Sequence, residues 1–194
     1  MNSINNFFKN INFALSSLDQ KYIDDVIDQL IKLRAKKGRL FIIGVGGSAG
    51  NASHAINDFR KLCNIDAYTP VDNISEITAR TNDEGFETIF DSYLKLSKIN
   101  RKDILLIFSV GGGNLKKKIS TNIVNAIKLA KQKKTKVISI VGRSDGYAYK
   151  NSDIKILIKV KDKKLATPIS ETFQVLLWHL FVSHPRLQIN KTKW

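Results

Sequence analysis

Apolar residues recur at helical spacing over 4–37, as Ile4, Phe7, Phe8, Ile11 and Leu15, then as Ile23, Val26, Ile27, Leu30, Ile31 and Leu33. That spacing predicts helix, with Gly38 as its C-cap. The pattern then changes. Residues 40–43 are a short, fully apolar run that ends in glycines, which reads as a strand, and 49–62 read as a helix. Pro70 and Asp72-Asn73 mark turns, 74–79 a short helix and 86–97 a longer one. The second half repeats the theme. Residues 103–108 form another continuous apolar strand, followed by a helix carrying Ile123, Val124, Ala126, Ile127 and Leu129. Lys136–Val141 is the next strand and 142–149 a loop or short turn; Ile154, Ile156 and Ile158 then alternate as a further strand. Thr167-Pro168 opens a last helix over 169–182, which Pro185 ends.

Uninterrupted apolar strands that alternate with helices call for a parallel sheet covered on both faces. The fold class is therefore α/β. The expected organisation is a helical arm over 1–37 and one domain over 38–194.

Composition narrows the function classes. The chain has 194 residues, and 43% hydrophobic content is enough for a sizeable core. No apolar run approaches the roughly 20 residues that span a bilayer, and the start lacks the charged and apolar blocks of a signal peptide. The single cysteine, Cys63, excludes an internal disulfide framework. A cytoplasmic protein with no membrane partner is expected. The net charge is +15, which by itself would suit a polyanion partner. Yet the basic residues lie in short scattered groups, such as Lys116, Lys117 and Lys118, with no basic arm or aromatic array beside them. A solvated lysine-rich surface is the expectation, with no nucleic-acid partner.

Two glycine loops follow strands. The first is Gly44-Val45-Gly46-Gly47-Ser48; the second is Ser109-Val110-Gly111-Gly112-Gly113-Asn114, with Ser120 at the start of the next helix. The carboxyl edge of a parallel sheet is where ligands bind, and helix N-termini there offer N–H groups to an anion. Paired with serine hydroxyls, these loops suit a phosphate. The frame is neither a Walker A motif nor a dinucleotide fingerprint, so no nucleotide cofactor is expected. Four residues separate His54 and Asp58, which puts both on one helical face as a metal or acid/base pair. On the last helix, Glu171 is expected in the first turn, where a carboxylate complements the dipole. His179 is eight residues further on, about 80° around. Asn82 and Asp83 read as a polar turn between helices that can reach sugar hydroxyls.

These segments resemble the sugar-isomerase (SIS) domain family, in particular the phosphoheptose isomerases. GVGGSAGNASHAINDF is similar to that family's GNGGSxxDAxHxAEE. ITARTNDEGFETIF is similar to its xxxGNDFGFxxxF segment. FSVGGGN with ISTNIVNAI resembles its STSGNS loop and following helix, and the likeness runs over residues 20–183. A divergent subgroup shares FSVGGGN, IVGRxxGY and a TEAFQAVVWHLLVSHP-like segment.

The resemblance implies a three-layer α-β-α sandwich on a mostly parallel, flavodoxin-like, five-stranded sheet. It implies a homotetrameric enzyme that converts sedoheptulose 7-phosphate to a heptose 7-phosphate through an enediol, for surface polysaccharide. The contacts it implies are Ser48, Ser109 and Ser120 for the phosphate and Asn82 and Asp83 for the sugar; Gly46, Gly47, Gly111, Gly112, Asn114 and Glu171 are expected beside them as substrate contacts. Asp58 falls on the catalytic glutamate, and His54 on a histidine that binds zinc in characterised members. The departures are specific. The family's asparagine becomes Val45, and a lysine-bearing insert (Lys116 to Lys118) precedes Ser120. Its last-helix glutamine and histidine become Ser170 and Trp178. His179 is one position late, which turns a helical side chain by about 100°. The zinc site, with His54 and Asp58 as ligands, is therefore expected to be incomplete, and His179 to serve as catalyst only if the helix is rotated or bulged. A catalytically silent module that senses a sugar phosphate or scaffolds a partner is the alternative.

Overall fold

The computed structural model of the chain describes residues 3–192. Five strands, β1 (Arg39–Ile43), β2 (Asp66–Tyr68), β3 (Ile104–Ser109), β4 (Lys136–Val141) and β5 (Ile154–Leu157), form one sheet in the order β2-β1-β3-β4-β5. Every neighbouring pair is parallel. The α/β class is thus as expected, and the sheet is wholly parallel.

Side chains alternate between the two faces, as the twofold strand period dictates. Leu40, Ile42, Leu106 and Phe108 join a core beneath α1 (Ser3–Ser16), α2 (Gln20–Ala35), α3 (Gly47–Cys63) and α8 (Ala166–Ser183). Phe41, Ile43, Leu105 and Ile107 join a second core beneath α5 (Ile89–Leu96), α6 (Thr121–Gln132) and the short α7 (Tyr147–Asn151). One further helix, α4 (Ile74–Asp83), buries no residue and lies against α5. Among the described residues, no helix is long and apolar enough to cross a membrane.

Several local expectations need correction. The strand β2 was not legible, because Asp66-Ala67-Tyr68 is short and only Ala67 is fully buried. It exists through its ladder to Arg39, Leu40 and Phe41. The helical run over 4–37 breaks at 17–19, where the Asp19 side chain accepts from Lys21 N at 3.0 Å and starts α2 afresh. The left-handed residue that ends α2 is Lys37, with φ 52°. Gly38 follows it and donates to Leu33 O at 3.0 Å. A glycine is required there because a Cβ would run into Lys102 O.

Asn82 and Asp83 belong to the last turn of α4, which continues past 79. Arg80 extends it by pairing with Glu76 at 2.9 Å and with Glu84 at 3.4 Å, each one helical turn away. The N-terminal arm is tied to the domain by Asn10, which is buried. Its Oδ1 accepts from the backbone N–H groups of Lys161 and Asp162 at 3.1 and 2.9 Å.

Candidate active site

The helices α3 and α8 pack side by side. Their contact places four side chains around one carboxylate. The indole of Trp178 is 1% exposed and donates from Nε1 to Asp58 Oδ2 at 3.1 Å. His54 Nε2 and His179 Nε2 each lie 3.5 Å from the same oxygen. Asp58 Oδ1 accepts from Asn57 Nδ2 at 3.1 Å. The imidazoles are about half exposed, with side-chain values of 56% and 47%, whereas the Asp58 side chain is 12% exposed. Asp58 is therefore the floor of the cluster, and the two histidines form its open side.

His179 thus reaches Asp58 despite its one-residue offset, and no bulge interrupts the α-helix over Ala166–Ser183. The physical reason is that Asp58 lies between two successive α8 side chains. Residues about 100° apart on a helix can bracket a group placed between them. Trp178 passes beneath, stacked on Phe108 at 6.0 Å, and His179 closes the rim. Rings lock the arrangement, with His54 5.3 Å from Trp178 and Trp178 4.9 Å from His179.

One ligand atom from each of His54, Asp58 and His179 lies within 4.8 Å of the others. Three protein donors with a free fourth position are the pattern of a catalytic zinc site. The donor set therefore fits a metal better than the sequence suggests. Ser170 takes no part in it, because it is fully buried with Oγ against Gly142.

The glycine loops are more enclosed than expected. Gly46 has φ 64° and turns the chain into α3, which already includes Gly47 and Ser48. Ser48 is 1% exposed and Ser109 is 6% exposed. Ser109 Oγ accepts from Gly112 N at 2.9 Å, so it closes its own loop. Ser120 precedes α6 in a left-handed conformation, without a side-chain capping bond. The insert folds into a turn closed by a bridge between Asn114 and Ile119. Of its three lysines, Lys117 lines the neighbouring cavity, together with Gly111, Gly113, Asn114, Arg143, Asp145 and Gly146. Arg143 holds Asp145 at 2.8 and 2.9 Å, and this pairing keeps the Asp145 carboxyl at about 2.

Asn82 Nδ2 donates to Asp83 Oδ1 at 2.7 Å, both are exposed, and neither lines that cavity. Glu171 lies beyond the first turn of α8, which begins at Ala166. Its carboxylate stands instead against Gly47, at the start of α3, where it meets the positive end of another helix. A side chain at 47 would overlap it. Asn51 was missed in the sequence. Its Nδ2 donates to Glu171 O and to Gln174 Oε1 at 3.0 and 2.9 Å, which cross-links α3 and α8. Gln174, a lone amide in an apolar stretch of helix, was the available signal.

Comparison with known proteins adds the following. The model of the SIS-domain family matches residues 6–142, so α8 lies outside the matched span. A phosphoheptose isomerase of Helicobacter pylori (strain P12) is 27% identical over 172 residues, 86% of this chain and 83% of that protein. The lincomycin biosynthesis protein LmbN of Streptomyces lincolnensis is 32% identical over 154 residues; the match takes in 76% of this chain but about half, 56%, of the longer protein. A phosphoheptose isomerase structure from Francisella tularensis superimposes with a TM-score of 0.78 over 94% of this chain and 97% of that one. Its sequence identity is 23%, so this likeness is one of fold.

Proposed function

The chain belongs to the SIS-domain family, and from that premise we propose that it is a phosphosugar isomerase. The substrate we propose is sedoheptulose 7-phosphate, converted to a heptose 7-phosphate in the cytoplasm for surface-polysaccharide synthesis. The observation that carries this reading is the grouping of His54, Asp58 and His179, the first two on the helix that leads out of the first glycine loop. The likeness to phosphoheptose isomerases over most of their length supports the same choice.

A ketose becomes an aldose when a proton leaves one carbon, an enediol forms, and a proton returns to the adjacent carbon. Asp58 and His179 are the groups proposed to move it. Asp58 is held by two N–H donors, so it faces the substrate as an oriented acceptor. His179 stands 3.5 Å away on the open side, where a ring nitrogen can serve the substrate's oxygens. Zinc held by His54, Asp58 and His179 would supply a Lewis acid at the carbonyl oxygen. Lys117 and Arg143 are proposed to hold the phosphate in place of the enclosed serines. Phe8, Leu15 and Leu180 are exposed apolar residues of α1 and α8, and we assign them to contacts between copies in a homotetramer.

Trp178 favours one second reading, a silent module that binds a sugar phosphate, because an indole neither ligates a metal nor carries a proton. Purified protein given sedoheptulose 7-phosphate, with and without zinc, separates the two. Formation of the aldose, lost in Asp58→Ala, supports the isomerase. An unchanged ketose under both conditions rejects it.

A further inference from the structure

We infer that Trp178 is a positioning residue for a three-donor metal site. Its indole N–H fixes Asp58 Oδ2, and His54 Nε2 and His179 Nε2 complete a site for one divalent transition-metal ion, leaving a fourth position open. The inference deepens the isomerase reading and rests on it for the use of the ion in turnover, though not for the geometry.

The distances carry it. An N···O separation of 3.5 Å is too long for an imidazole–carboxylate hydrogen bond, which falls near 2.7–3.2 Å. Bonds of about 2.0–2.1 Å to a tetrahedral zinc ion put neighbouring ligand atoms roughly 3.4 Å apart. Both histidines thus stand at a ligand–ligand spacing from Asp58 Oδ2. Two imidazoles with one carboxylate and an open position are a donor set used by zinc and by ferrous iron, both divalent transition-metal ions.

Trp178 fixes the oxygen they share. An indole N–H is a donor only and cannot compete for the ion. Its bond at 3.1 Å is buried, and its ring is held between Phe108 and the two imidazoles. That is the outer-shell role which, in known sites, is worth 10- to 100-fold in metal affinity. Among the described residues, the metal-ligating cluster here consists of His54, Asp58 and His179. Cys63 Sγ points to Val182 O at 3.7 Å, and burial pushes its thiol up to about 12. Ser170 Oγ faces Gly142. The exposed edges of His54 and His179 give the ion its approach.

The test uses the full chain carrying Trp194→Phe, so that Trp178 is its sole tryptophan, dialysed against a chelator and titrated with Co²⁺. The expected result is one Co²⁺ per chain. It should give the strong visible bands of a four-coordinate site, quench Trp178 fluorescence, and be displaced by Zn²⁺. His179→Ala, a change at an exposed position, should abolish the bands and the quenching. Trp178→Phe should weaken Co²⁺ binding 10- to 100-fold while the far-UV circular dichroism is unchanged. Absence of a saturable Co²⁺ signal would overturn the inference, as would His179→Ala or a folded Trp178→Phe that binds like the parent. If Trp178→Phe does not fold, quenching in the parent and its loss in His179→Ala decide. A chain that binds Co²⁺ but isomerises nothing overturns the isomerase reading alone. A chain that isomerises without binding Co²⁺ overturns this inference alone.

Discussion

Replacing Asp58 in two ways separates its structural part from its chemical one. Asp58→Ala removes the acceptor of the buried Trp178 N–H, and a buried donor left unsatisfied costs about 1–3 kcal/mol. Asp58→Asn keeps a carbonyl oxygen for that donor; it removes the charge and the second oxygen, which accepts from Asn57 Nδ2 and is lost in both variants, so its cost should be about 1 kcal/mol. The expected gap between the variants is then about 1–2 kcal/mol. For a domain of this size that corresponds to roughly 2–8 °C in Tm. Activity should behave differently. A carboxamide cannot take a proton, so both variants should lose about 10²- to 10⁴-fold in kcat. Urea titration followed by circular dichroism reads the first effect, and initial rates on sedoheptulose 7-phosphate read the second. Equal stability of the two variants would refute the buried hydrogen bond. Turnover of Asp58→Asn within tenfold of the parent would refute the carboxylate as the proton carrier.

Other consequences follow from groups elsewhere. Cys63 is fully buried and its thiol is raised to about 12 by desolvation, so a thiol reagent should leave the native protein unmodified and react promptly in urea. Rapid native labelling would contradict that burial. Burial also raises the Asp91 carboxyl above its ordinary 3.8, and Asp91 Oδ1 has no hydrogen-bond partner. The neutral form is the favoured one in the fold, so this contribution is present at low pH and lost as pH rises through the raised value. Asp91→Asn should therefore gain Tm relative to the parent at pH 7 and lose that advantage near pH 3; a pH-independent difference would contradict it. If Lys117 and Arg143 hold the phosphate, the double variant to Ala should weaken phosphate binding in calorimetry, and added salt should weaken the parent's binding too. Unchanged binding would return the phosphate to the serines and backbone.

The parts of the fold that could be read in the sequence were those where one face or both faces are buried. Strands β1 and β3 carry unbroken apolar runs (Leu40 to Ile43 and Ile104 to Phe108), and β4 is apolar apart from Lys136 and the buried Ser139, because helices cover the sheet on both sides. The edge strand β5 showed as alternation for the same reason in reverse. The strand β2 escaped because its pairing, and not its composition, makes it a strand. The end of α4 escaped because a surface ion-pair series extended it, which leaves no apolar period to follow. In the site, His54 and Asp58 were legible from spacing within one helix. The position of His179 was not, since it depends on how α8 is rotated against α3. Spacing along α8 alone sent it away from Asp58. The serines show a further limit. A hydroxyl beside a glycine loop reads as a ligand donor, yet Ser109 spends its oxygen on Gly112 N. The +15 charge, so prominent in the composition, contributes to the proposed site mainly through Lys117 and Arg143.

The most direct test of the central claim is solvent exchange. The protein is incubated with sedoheptulose 7-phosphate in D₂O and followed by proton NMR. Passage through an enediol should place deuterium on the carbon beside the carbonyl as the aldose accumulates, and Asp58→Asn should show neither change. Ligand that binds, seen as line broadening, but keeps all its carbon-bound protons would contradict isomerisation and leave a binding module in its place.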